Sequence, residues 1–378
     1  MSSVVASSQV AQVRMPVTQA RHALPDIYAS PEVWHEEKQK IFMKEWLLVA
    51  REEEIENAGD YLALRWLDEP VLLARDKSGT LRAFANVCAH RGVEVAFGKG
   101  NTEVFSCPYH SWTYRLDGKL LGAALVGDNT TFDRSTCSLP EIAMGLWGGN
   151  VFINFSDAPR PFEEFIAEYK TDFDYLKQEN CRLSAKLHVD LACNWKFAVE
   201  NLLDIYHVKT LHANTFGKHF NATADQIKLG DNGRVGYYHV TAPATPDGKS
   251  RFGRMPWLDP ELENTFGGTV RMPPNAHMFA RIDQVRYIVI WPTGVDSCRL
   301  VCYHLFPEEF FSVPDFEAKA KIYADYQLTV LEEDRLMIDS LQLAMKSKYF
   351  KPGPMVKLES AIHHVLNDYF KRMEIPLK

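Results

Sequence analysis

The rhythm of apolar and polar positions changes twice along the chain. Over residues 31–46, Val33, Trp34, Ile41, Phe42 and Trp46 recur among charged neighbours, and the spacing predicts an amphipathic helix that opens the folded part. Over 46–155 that rhythm gives way to short runs of β-formers at 61–66, 71–74, 104–105 and 150–155, punctuated by Gly and Asp, with Asp117-Gly118 as a hairpin turn signal. Residues 156–161, Ser-Asp-Ala-Pro-Arg-Pro, read as a linker. Beyond them, helical segments at 162–176, 195–211 and 314–345 alternate with strands at 236–241, 285–291 and 299–306. The fold class this predicts is α+β: an all-β domain over 46–158, followed over 159–378 by a domain with an antiparallel β-sheet covered by helices. Residues 1–45 stand ahead as an arm and helix. The first 25 or so are small, polar and weakly patterned; they read as a partly disordered arm, without the basic start and apolar core of a signal peptide.

Composition narrows the picture. A chain of 378 residues exceeds the size at which one hydrophobic core keeps growing, so two domains are expected. A net charge of -7 with no block of lysine and arginine argues against a nucleic-acid partner. The longest apolar runs, such as 287–291, are strand-sized, so no membrane span is expected. Seven cysteines, an odd number scattered without a secretory signal, point to a reducing cytoplasm in which they serve as ligands or core.

The sharpest chemical signal is Cys88-Ala-His90, sixteen residues, then Cys107-Pro-Tyr-His110. Zinc fingers use the same ligand types but run Cys, Cys, His, His, so that each pair closes one end of the site. Here each half supplies one Cys and one His. That order suits two irons, one held by two thiolates and the other by two neutral imidazoles, the arrangement of a Rieske [2Fe-2S] centre. Imidazoles in place of two thiolates lower the negative charge and raise the potential, so the cluster accepts an electron readily.

A second constellation comprises Asn194-Trp-Lys, Glu200-Asn201, Asp204, Tyr206-His207 and His212. On a straight helix Asn201, Asp204 and His207 share a face, while His207 and His212 lie about 140° apart. A distortion or break between the two histidines is therefore expected if they serve one metal; by themselves, two histidines at this spacing are also compatible with ordinary packed residues. Two histidines and a carboxylate would make a facial triad. The late helix offers Glu332, Glu333, Asp334 and Asp339. Leu331, Ile338, Leu341 and Met345 form one stripe whose gap Asp334 fills, and a carboxylate buried there needs a cation or hydrogen bonds. Asp334 is the expected third ligand and Glu333 the fallback.

The two motifs, with Ser111-Trp112-Thr113-Tyr114 and Asp117-Gly118 after the first and the D-x-x-H-x-x-x-x-H string of Asp204, His207 and His212 some hundred residues later, make the chain resemble the Rieske non-haem iron oxygenases, the catalytic alpha subunits of ring-hydroxylating and dealkylating systems. The resemblance spans Trp34 to Tyr369. It implies a cluster on Cys88, His90, Cys107 and His110, and a mononuclear Fe(II) on His207, His212 and Asp334. It also implies a homotrimer in which Asp204 links His110 of one subunit to His207 of the next. Electrons from NAD(P)H would arrive through a flavin reductase and a ferredoxin, with dioxygen as co-substrate. Monooxygenation, as hydroxylation or oxidative N- or O-dealkylation, is expected ahead of cis-dihydroxylation of a ring. An electron carrier would lack the second iron, and a zinc-stabilised binding module would not alternate Cys and His.

For a substrate, the candidates Phe216, Phe220, Met255, Trp257, Met278, Phe279, Ile288 and Ile290 suggest an aromatic or otherwise hydrophobic small molecule. Arg254, Arg271, Arg281 and Arg286 are each able to clamp a carboxylate or to pair with a surface acid, and the sequence assigns none of them.

Overall fold

The computed structural model describes residues 10–375, and the chain divides into two compact units. One unit is Trp46–Ile166; the other joins the residues up to Glu45 to those from Ala167 onward. Residues 1–9 of the expected arm lie outside the described residues. From Val10 on the arm is packed rather than disordered: Val10, Val13, Ala20 and Ala23 are buried, and backbone hydrogen bonds tie it to 353–355 through His22 N–Gly353 O at 3.0 Å and Met355 N–Ala20 O at 3.0 Å. Its weak pattern had hidden this, because a few small apolar residues and backbone pairing hold it in place.

Helix α1 (Asp26–Ala29) leads into α2 (Pro31–Glu37). The Ser30 hydroxyl caps α2 by accepting from Val33 N at 3.2 Å, and Pro31 occupies the first turn, where no donor is lost. The helix expected over 31–46 ends sooner, its last five residues Lys38–Phe42 winding as a π-turn that leaves adjacent Ile41 and Phe42 both buried.

The unit Trp46–Ile166 holds β1 (Leu47–Arg51), β2 (Asp60–Trp66), β3 (Glu69–Arg75), β4 (Leu81–Ala85), β5 (Lys99–Asn101), β6 (Val104–Ser106), β7 (Thr113–Arg115), β8 (Leu120–Gly122), β9 (Ala143–Trp147) and β10 (Asn150–Asn154). They form three antiparallel sheets, ordered β1-β10-β9, β4-β3-β2-β5 and β6-β7-β8. Asp117-Gly118 turns β7 into β8; Gly118 takes φ 80°, and a Cβ there would strike the Phe84 ring at 2.5 Å. Phe84, Phe105, Trp112, Tyr114 and Leu120 build the core of this unit around Cys88 and Cys107.

Helix α3 (Phe162–Phe173) runs across the boundary at Ile166, and the other unit continues with β11 (Cys181–Leu191), α4 (Trp195–Leu203) and the single turn α5 (Val208–Leu211). Then follow β12 (Ile227–Leu229), β13 (Val235–Val240), β14 (Phe266–Met272), β15 (Ala276–Arg281), β16 (Val285–Gly294), β17 (Ser297–Pro307), α6 (Phe316–Ala344) and α7 (Ser360–Arg372). The strands make one seven-stranded sheet, β11-β17-β16-β15-β14-β13-β12, antiparallel throughout, and α6 packs against β11 and α4. The buried stripe of α6 runs Gln327, Leu331, Asp334, Ile338, Gln342. Leu341, expected on it, is exposed, because Gln342 instead turns inward to accept from Asn194 N at 2.8 Å and to donate to Tyr28 O at 3.2 Å.

Candidate active site

Two loops of the Trp46–Ile166 unit present Cys88 with His90 and Cys107 with His110, and they share one backbone design. In each, the Cys carbonyl accepts from the residue four places on (Gly92 N–Cys88 O 2.8 Å, Ser111 N–Cys107 O 2.9 Å), and the Cys N–H donates to the residue after that (Val93 O 2.9 Å, Trp112 O 2.8 Å). The fourth residue is left-handed in both, Gly92 at φ 81° and Ser111 at 59°; for serine this is a strained conformation of the kind held at functional sites. The thiols point into the core while the imidazoles are exposed, with Nδ1 of His90 and Nδ1 of His110 3.1 Å apart. His90 stacks on Trp112 at 4.9 Å. The Tyr114 hydroxyl accepts from Ala89 N at 3.0 Å, which leaves its proton free for Cys88 Sγ at 3.2 Å. Four ligands of a single zinc would lie within one coordination sphere, but among the described residues only His207, His212 and Asp334 bring three ligand atoms within 4.8 Å of one another.

Those three come from two helical segments. The helix expected over 195–211 breaks at Asp204, not between the histidines: α4 ends at Leu203, and Asp204 Oδ1 accepts from Tyr206 N at 2.7 Å, a local bond that competes with the helix. Asn201, Asp204 and His207 therefore do not share a helix face. His207 and His212 flank α5 instead, and the loop beyond closes through Gly217, where a Cβ would meet Val208 O at 2.5 Å and His212 O at 2.7 Å.

The ligand atoms form a nearly equilateral triangle. His207 Nε2 and His212 Nε2 are 3.2 Å apart, Asp334 Oδ1 is 3.0 Å from the latter and 3.5 Å from the former. Neighbouring ligands at right angles around an ion with bonds of about 2.1 Å are separated by about 3.0 Å. Asp334 Oδ1 is buried and makes no hydrogen bond of normal geometry, although the two imidazole nitrogens stand 3.0 and 3.5 Å from it. Burial pushes the Asp334 carboxyl up, but the two imidazoles outweigh it and hold it below the ordinary carboxylate range. Burial works against a charged His207, yet Asp204 and Asp334 hold it up to about 9. Behind each imidazole stands a second carboxylate: Asp204 Oδ2 at 3.1 Å from His207 Nδ1, and Glu333 Oε2 at 2.6 Å from His212 Nδ1. Thr215 Oγ1 donates to the same Glu333 oxygen at 2.8 Å. Such partners fix the tautomer and aim of a metal-binding imidazole.

The triangle opens into a cavity of about 100 Å³ between α4, α5, α6 and one face of the large sheet. Of the apolar candidates, Phe216, Phe220, Phe279 and Ile288 line it; Met255, Trp257, Met278 and Ile290 do not. Arg281 and Arg286 are on its wall. Arg254 instead donates to the carbonyls of Asp259 and Leu262, and Arg271 to that of Gly233 at 2.8 Å.

Residues 45–131 match the Rieske [2Fe-2S] domain, and residues 178–375 match the ring hydroxylating alpha subunit catalytic domain. The chain belongs to this family of Rieske oxygenases. It is 26% identical to the glycine betaine monooxygenase oxygenase subunit of Pseudomonas aeruginosa (strain PAO1) over 92% of this chain and 87% of that one. It is 34% identical to the anthranilate 1,2-dioxygenase large subunit of Acinetobacter baylyi over 50% of this chain and 42% of that one. The fold is that of a quaternary ammonium Rieske monooxygenase of known structure, with a TM-score of 0.78, 23% identity and 96% of each chain covered.

As a Rieske terminal oxygenase the chain is an oxidoreductase that uses a [2Fe-2S] cluster, a mononuclear iron, dioxygen and electrons from a partner. The orphaned carboxylate oxygen facing two imidazole nitrogens is what such an iron requires, and two imidazoles meeting through Nδ1 above two buried thiols fit the cluster. Among the described residues no helix of the oxygenase is long and apolar enough to cross a membrane. Sequence reasoning missed the pairing of Glu333 with His212 and the need for Gly217. The first was hidden because Glu333 adjoins the stronger candidate Asp334.

Proposed function

We propose that His207, His212 and Asp334 hold the mononuclear iron, that Cys88, His90, Cys107 and His110 hold the cluster, and that this oxygenase inserts one atom of dioxygen into a small organic molecule. The observation that carries the reading is the triangle of Nε2, Nε2 and Oδ1 at 3.0–3.5 Å, whose three residues all line the cavity and would hold the iron at its wall. The iron supplies oxygen activation when bound. The chain's share is to orient its ligands through Asp204 and Glu333, to exclude water with Phe216, Phe220, Phe279 and Ile288, and to seat the substrate. The balance is R–H, O2, two electrons and two protons giving R–OH and water; where the oxidised carbon carries nitrogen or oxygen, the product releases an aldehyde and the dealkylated remainder. A glycine betaine monooxygenase subunit among the relatives supports this outcome.

Asp204, against His207 on one side and only partly buried, is suited to carry an electron from His110 of a neighbouring subunit in a homotrimer. A neighbour of the same fold is described in terms of inter-subunit electron transfer. A ferredoxin or flavin reductase drawing on NAD(P)H in the cytoplasm would be the donor. Residues 46–158 and 159–378 are the proposed domains, with 1–45 as their N-terminal extension. Cis-dihydroxylation is the second reading, favoured by the anthranilate 1,2-dioxygenase relative. Turnover under ¹⁸O-labelled dioxygen decides: one labelled atom in a hydroxylated product, or in a released aldehyde trapped by reduction before it exchanges with water, supports monooxygenation, and two in a ring diol support the second reading.

A further inference from the structure

Two guanidinium groups on the cavity wall form no ion pair. Arg281, at the end of β15, is 6% exposed, and Arg286, near the start of β16, is 8% exposed. Neither lies within ion-pair distance of a carboxylate among the described residues, unlike Arg234 with Asp172, Arg299 with Asp190 or Arg372 with Glu45. Arg281 Nη1 donates to Ala280 O at 2.8 Å, Arg286 Nη1 donates to Gln327 Oε1, and the buried Nε of Arg286 has no acceptor. Compensation is weak: burial and the neighbouring arginines keep His239 and His304 neutral, and the one acid that acts on both arginines, Asp283, has its carboxyl pushed up by burial and accepts from Tyr323 instead. An isolated buried charge costs several kcal/mol, so this pair is retained at a cost that a bound anion would offset.

Strand pleating explains how the pair reaches the cavity. Phe279 and Arg281 alternate onto one face of β15, Arg286 and Ile288 onto the same face of β16, and Phe279 pairs directly with Arg286 in register. Arg286 lies over the Phe279 ring at 5.7 Å. Its partner Gln327 is seven residues before Asp334 on α6, two turns or about 10 Å along the axis. The cationic end of the cavity is thus set apart from the end that holds His207, His212 and Asp334, with Val330 and Leu331 among the lining residues between.

We infer that the substrate carries a carboxylate, clamped by Arg281 and Arg286, and presents its apolar remainder to the His207–His212–Asp334 end of the cavity. The guanidinium fork matches a carboxylate bidentately, and a permanent cation with no acid group is repelled. This inference rests on the reading of that end as the reaction centre. It makes Arg281 and Arg286 specificity-determining residues and fixes the oxidised carbon several bonds from the acid group.

The test is anaerobic titration calorimetry of the iron-loaded, cluster-containing protein with a matched series. Benzoate, 4-phenylbutyrate and γ-butyrobetaine are each compared with the corresponding primary amide, and choline is added as a cation without an acid. At least one carboxylate should bind about tenfold or more tightly than its amide, and choline should bind more weakly than that carboxylate. Arg281→Met and Arg286→Met should each abolish the preference with cluster spectrum and iron content unchanged, while Arg286→Lys keeps part of it. The arms distinguish an aromatic from a trimethylammonium remainder. Amides binding as tightly as their acids, choline binding best, or no carboxylate binding below about 10 mM would overturn the inference. Persistence of the carboxylate preference in His207→Ala, together with an absence of any oxidised or dealkylated product from wild type, would overturn the proposed reaction and leave the clamp standing.

Discussion

The residues proposed for the cluster and those proposed for the mononuclear iron are mounted in contrasting ways. Cys88, His90, Cys107 and His110 project from two β-loops of matching backbone, with thiols buried and imidazoles exposed. His207, His212 and Asp334 come from a broken helix and a continuous one, with side chains 20%, 1% and 7% exposed, and they face a cavity walled largely by apolar side chains. The difference follows from the tasks. An electron carrier needs an edge that a partner can approach, and a strained, rigid loop to keep its geometry through the redox cycle. A site that directs a reactive oxidant needs a dry, shaped cavity and carboxylates behind its imidazoles, because each unpaired buried group there would otherwise be costly.

The contrast breaks most visibly when one site is removed without the other. Asp334→Ala should lose the mononuclear iron and lower turnover on the order of a thousandfold or more, while the visible spectrum of the cluster stays intact; Cys107→Ala should do the reverse to the metal content. Retention of iron in Asp334→Ala would move the third ligand elsewhere. Asp204→Asn tests the link to the iron site. Both metals should remain and turnover fall about a hundredfold, with steady-state oxygen consumption as the readout. An unimpaired variant removes Asp204 from the electron path.

Smaller effects sharpen the picture. Glu333→Gln takes the charge from behind His212 but keeps an acceptor, and iron affinity should fall about tenfold in a chelator-competition assay. No change would reduce Glu333 to packing. Tyr114→Phe removes the proton that faces Cys88 Sγ, so the sulfur becomes more electron-rich and the cluster potential should fall by on the order of tens of millivolts in protein-film voltammetry. A rise would contradict the donor direction argued from Ala89.

What could be read from the sequence tracks how local the information is. Each half of the first motif lies within one loop, so its residue types and spacing were enough to propose the ligands. The burial of Asp334 was legible because this carboxylate fills the gap in an apolar stripe, and the stripe held except at Leu341. The position of the break was not legible, since it depends on Asp204 bonding to Tyr206 N instead of remaining helical. Nor could the arginines be sorted: Arg254, Arg271, Arg281 and Arg286 look alike in sequence, and only the register of β15 against β16 turns two of them into the cavity. Residues 10–25 looked disordered because their order comes from backbone bonds to 353–355, nearly the whole chain away.

The most direct measurement is the iron and acid-labile sulfide content of anaerobically purified protein, with EPR before and after dithionite, for wild type beside His207→Ala. Three irons and two sulfides per chain, a reduced Rieske signal in both proteins and the loss of one iron in His207→Ala are the predicted result. Zinc in place of iron, or an unchanged iron content in the variant, would contradict the account.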